Sequence, residues 1–147
     1  MPSVHNVRSE RILMGRLDRG SDLLGELIDI CVQEKIRLGR VEAIGAVSRA
    51  RLGYYHQEGH EYRHYTVNQP LEISSLQGNI SLKGESPFVH AHVILSGTRG
   101  RSWGGHLASG TEVYACEFII EVFSGPELSR VYDRETGLHL WNAREED

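Results

Sequence analysis

The chain has 147 residues, of which 39% are apolar and 24% charged, so it can bury one core and does not have the composition of a disordered segment. A formal charge of −4 with the histidines neutral argues against a surface that holds nucleic acid chiefly by neutralising phosphates. No apolar run approaches the roughly 20 residues of a membrane span, MPSVHNVRSERI lacks the apolar centre of a signal peptide, and Cys31 and Cys116 are too few for a disulfide framework. These features predict one domain over 1–147 in the cytoplasm.

In chain order, residues 8–17 predict a strand, followed by a break at Arg19-Gly20. Ser21 then offers an N-cap, with Asp22 in the first turn. Leu23, Leu24, Leu27, Ile28 and Cys31 recur at helical spacing, which predicts an amphipathic helix over about 21–38 ending at Gly39 as its C′ residue. Cys31 lies on the apolar stripe and reads as core. Strands are expected at 40–54, 61–67, 71–81, 87–96, 102–108 and 111–123. One helix and a run of hairpin-linked strands give an α+β fold with a largely antiparallel sheet. The tail Arg144–Asp147 reads as a frayed acidic end. Arg49 with Arg51, and Arg99 with Arg101, form small basic clusters that fit an ordinary solvated surface.

Three of the eight histidines fall in HAHVILSGTRGRSWGGH. Side chains alternate along a strand, so His90 and His92 share a face, and Val89, Ala91, Val93 and Leu95 share the other. If the following loop is centred on Arg99, Ser96 opposes Ser102, Ile94 opposes Gly104, and His92 opposes His106. Opposed residues lie on one face, so the three imidazoles would form a triangle. A loop shorter or longer by one residue would place His106 on the opposite face.

Three close imidazoles repel when protonated, and a divalent metal removes that difficulty. Three histidines with an open fourth position are a known catalytic zinc arrangement, although imidazole also suits iron, copper and nickel. The alternative is three histidines with separate partners. Gly104 and Gly105 would let a ligand or another chain approach closely. Glu117, among apolar neighbours in VYACEFIIEVF, is a candidate fourth ligand, a partner to a ligating histidine, an acid/base group, or a strand-edge residue facing solvent. Cys116 points away from Glu117 and is not a ligand candidate. Arg99 and Arg101 are candidates for binding a substrate carboxylate. His56, His60 and His64 recur every four residues, but their surroundings alternate like strands around Gly59, so the spacing reads as incidental.

LEISSLQGNISLKGESPFVHAHVILS, WGGHLASGTEVYACEFIIEVF and the earlier VEAIGAVSRARLGYY resemble the PPC (plants and prokaryotes conserved) domain over about residues 8–125. The resemblance implies an α+β fold, a homotrimer, and a histidine cluster able to hold a metal, here at His90, His92 and His106. It also implies a DNA-associated, regulatory role. In plants that role goes with an AT-hook, an Arg-Gly-Arg-Pro element absent from this sequence. The fold is similar to that of acetolactate decarboxylase, which keeps open a second role: a zinc-dependent lyase or hydrolase acting on a small oxygen-rich molecule, with Glu117 moving a proton.

Overall fold

Alternation of apolar and polar side chains carries most of the chain into strands. A computed structural model describes residues 2–143, and Arg144–Asp147, expected to form a frayed end, lie outside the described residues. The elements are β1 (Arg8–Leu17), α1 (Leu23–Gln33), β2 (Gly39–His56), β3 (Glu61–Val67), β4 (Leu71–Lys83), β5 (Ser86–Ser96), β6 (Ser102–Leu107), β7 (Glu112–Ser124), β8 (Leu128–Tyr132) and β9 (His139–Ala143). The sheet is antiparallel except where Leu82 of β4 meets Ser129 of β8.

β2 organises the sheet. It pairs with β3, β4, β6 and β7, and because β4 pairs β5 and β5 pairs β6, strands β2, β4, β5 and β6 close a circuit. The core includes Leu52, Leu76, Ile80, Ala91, Val93, Leu95 and Leu107 from this circuit, all buried. α1 packs beside β5 and contributes Leu23, Leu27 and Cys31, each fully buried. Burial pushes the Cys31 thiol up to about 12 and the Cys116 thiol to about 11, as suits inert core thiols.

α1 is shorter than expected at both ends. Asp22, not Ser21, is the N-cap: its carboxylate accepts from Gly25 N–H at 2.9 Å and also from Gly110 N–H at 2.7 Å, so it ties the helix start to the loop before β7. At the other end Lys35, with φ 55°, takes the left-handed C′ position expected at Gly39. Ile36 N–H then bonds Cys31 O and Lys35 N–H bonds Val32 O, a Schellman closure that turns the fully buried Ile36 back into the core. Gly39 is left to begin β2.

The largest departure lies after residue 123, where the sequence reading placed no element. β8 and β9 form a hairpin around Asp133–Leu138. Tyr55 Oη donates to Thr136 O at 2.6 Å and docks that turn onto the β2–β3 hairpin.

Candidate metal centre

β5 supplies His90 and His92, and β6 supplies His106. The connection runs as the odd-length loop demands: Gly97 N–H bonds Arg101 O at 2.7 Å, with Arg99 at its centre in the left-handed region at φ 60°. Ser96 faces Ser102, Ile94 faces Gly104, and His92 faces His106. Val89, Ala91, Val93 and Leu95 turn into the core, so the imidazoles project from the outer surface. Gly105 allows β6 to close on β2, because a Cβ there would lie 2.8 Å from Gly53 O.

One ring nitrogen from each of His90, His92 and His106 lies within 4.8 Å of the others. His90 Nε2 and His92 Nε2 are 3.3 Å apart. Two nitrogens bound tetrahedrally to zinc at about 2.0–2.1 Å are about 3.3 Å apart, so the pair is already at ligand spacing. His106 Nδ1 is buried without a hydrogen-bond partner, a cost that an ion bound by that nitrogen would offset. The donor set therefore fits a divalent metal.

Two of the imidazoles, His90 and His106, are held toward the neutral form, the form that ligates a metal. Burial, reinforced by the charge of Arg130 and by His92, lowers His90 to about 4. Burial also lowers His106 to about 4, with His90, His92, His64 and Arg130 adding to it. Tyr62 covers His106, its ring centroid 4.8 Å away, and Tyr65 Oη donates to Gly104 O at 2.7 Å, which ties β3 to β6.

A cavity of about 330 Å³ opens beside the cluster, bordered by His90, His106 and Arg130. Tyr55, Tyr62 and Phe88 form part of its wall, and the β8–β9 turn closes one side. Sequence reasoning missed Arg130. The signal was present in LSRVYDRETGLHLW, two short alternating runs around a Gly-containing turn, which is a hairpin pattern.

The other candidates fall elsewhere. Glu117 is exposed and lines a separate groove with Met14 and Ile44. It pairs with Ile44 of β2, whereas His106 pairs with Gly53, nine positions on and roughly 30 Å of strand away. Arg99 and Arg101 sit at the hairpin tip, four residues or more beyond His92, or at least roughly 13 Å along the strand. Arg101 stacks over Trp103 there.

His56, His60 and His64 share no helix. His56 Nδ1 accepts from Gly59 N–H in the turn, and His60 borders the cavity. His64 shares the cross-strand row of Gly53 and His106, where the missing side chain of Gly53 leaves room for its ring.

The family model of the Plants and Prokaryotes Conserved (PCC) domain matches residues 4–124. A metal-containing protein from Archaeoglobus fulgidus is 41% identical, with 96% of this chain and 99% of that one covered at a TM-score of 0.92. A plant- and prokaryote-conserved protein from Pyrococcus horikoshii is 31% identical, with 99% of each chain covered at a TM-score of 0.88. Among curated proteins, the Bifunctional protein GlmU of a Synechococcus strain is 34% identical over 131 residues, or 85% of this chain. The chain spans about a fifth of the length of the curated relatives it matches, 19% and 21%.

Proposed function

The chain belongs to the Plants and Prokaryotes Conserved domain family, and on that premise we propose that it is a metal-binding member whose His90, His92 and His106 hold one divalent ion, zinc first among the candidates. The observation that carries this reading is the preformed ligand spacing, 3.3 Å between His90 Nε2 and His92 Nε2. The metal-containing relative from Archaeoglobus fulgidus supports it.

The adjoining cavity favours a role for the ion toward a small oxygen-rich molecule. A bound ion there supplies Lewis acidity, polarising a carbonyl or lowering the pKa of a water. The protein's own part is to hold three imidazoles together, to shield His106 under Tyr62, and to leave His92 exposed on the outer side. A lyase or hydrolase activity fits this arrangement. Its acid/base group would have to be supplied by something other than Glu117 of the same chain, which lies in a separate groove.

The resemblance also implies a homotrimer and a DNA-associated role. The groove lined by Met14 and Ile44, both exposed, supports a contact between copies. For DNA, the electrostatics are unfavourable: Arg11, Arg37, Arg40, Arg49 and Arg63 each pair with a glutamate.

The test is elemental mass spectrometry on untagged protein beside a His92→Ala variant. About one metal per chain is expected in the parent and almost none in the variant. Absence of metal from both after zinc is supplied would sink the reading.

A further inference from the structure

Arg130 is a half-buried guanidinium with no carboxylate partner among the described residues. Its Nε donates to Ser81 Oγ at 3.1 Å, Nη2 to Asn79 Oδ1 at 3.0 Å, and Nη1 to His139 O at 3.1 Å. All three acceptors are neutral. Its flat face lies 4.8 Å from the Phe88 ring centroid and 5.8 Å from that of Trp141. The group is thus clamped by hydrogen bonds and stacked on aromatic rings, while some of its five N–H donors remain unused. Partial burial of a cation favours an anion beside it, and none is built in among the described residues.

The surroundings repeat that imbalance. Lys83 borders the same cavity as Arg130, and no Asp or Glu among the described residues lines it. With an ion on the histidines, the cavity would carry still more positive charge. On the surface Arg11, Arg37, Arg40, Arg49 and Arg63 each find a glutamate, whereas no acid among the described residues lines this cavity. Phe88, Leu138 and Leu140 supply apolar wall for a short carbon skeleton.

We infer that this cavity binds a small organic carboxylate, with Arg130 as the anchor of the carboxylate group and a further oxygen of the ligand directed to the histidine-bound ion. The inference rests on the metal reading for the second contact and on Arg130 alone for the first. A guanidinium edge matches the two oxygens of a carboxylate in one plane, which favours this class. Arg130 is a binding residue in this account. Phe88 and Trp141 position its plane.

The experiment is calorimetric titration of pyruvate, malonate and, as a control anion, inorganic phosphate into zinc-loaded protein. The proteins are wild type, Arg130→Gln, Arg130→Lys and Lys83→Gln, with metal content and thermal unfolding measured for each. Saturable binding of at least one carboxylate to wild type is expected. Arg130→Gln should weaken it at least about tenfold, or ~1.4 kcal/mol, with metal content unchanged. Arg130→Lys should fall between, since it keeps the charge and loses the fork.

Arg130→Gln removes three scaffold bonds and needs the folding check. Lys83→Gln is an exposed change that removes none of these scaffold bonds, and it should weaken binding severalfold on its own. Carboxylate affinity equal in all four proteins would overturn the inference, as would no carboxylate binding to metal-loaded wild type or a preference for phosphate. Failure of the metal reading is separately visible as absence of zinc. The Arg130 contact is then read by repeating the titration on metal-free protein, where loss of carboxylate binding in Arg130→Gln still supports it and equal binding overturns it.

Discussion

His90 and His106 sit at about 4 because burial opposes their charged form. An imidazole in an unfolded chain titrates near 6.5. Above that value neither state binds the proton, and the full stability is present. As pH falls from about 6.5 to about 4, the unfolded chain takes up protons that the folded chain refuses, so stability is progressively lost. Metal-free protein should therefore show a urea midpoint that drops across this window, and His90→Gln should flatten part of the drop. A midpoint unchanged between about pH 7 and pH 4.5 would contradict the account. The same depression means that protons would compete weakly with a metal at these two histidines.

The β5–β6 hairpin delivers the cluster, and its contact with β2 sets how close His106 comes. Gly105 lies 2.8 Å, by its would-be Cβ, from Gly53 O and 3.2 Å from Leu52 Cβ. Gly105→Val should force β6 away from β2 and cost roughly 1–3 kcal/mol by overpacking. The displaced His106 should also lower metal occupancy, which elemental analysis of the purified variant would read. Normal occupancy with normal stability would show that β6 has slack. Leu95, fully buried beneath the same hairpin, offers the opposite perturbation. Leu95→Ala should destabilise by about 2–5 kcal/mol in urea titration while leaving His90, His92 and His106 in place.

For the molecule as a whole, charge decides which large partners are plausible. The chain carries 20 acidic residues against 16 Lys and Arg, and several arginines are tied to glutamates, Arg40 and Arg49 across the β2–β7 pair. Any duplex DNA binding at physiological salt should be no tighter than the non-specific range of about 10⁻⁴–10⁻⁶ M, falling steeply as salt rises. Fluorescence anisotropy with a labelled duplex at two salt concentrations would test this. Sequence-selective binding that survives high salt would restore the DNA-associated role. No helix among the described residues is long and apolar enough to cross a membrane.

The geometry of the histidine cluster was legible in a seventeen-residue stretch because it depends on local rules. Strand parity puts His90 and His92 on one face, and an odd-length loop brings His106 opposite His92. The helix was legible in its apolar period, while its ends moved because Asp22 also bonds Gly110 and Ile36 had to return to the core. What surrounds the cluster depends on strand pairings between distant segments, and periodicity carries no information about those. β2 pairs with four other strands, so Glu117 and His106 attach to opposite stretches of it. The C-terminal hairpin folds back over Tyr55 and brings Arg130 beside His90 and His106, 40 and 24 positions earlier in the chain. Local alternation determines which way a side chain faces, and long-range pairing determines what it meets.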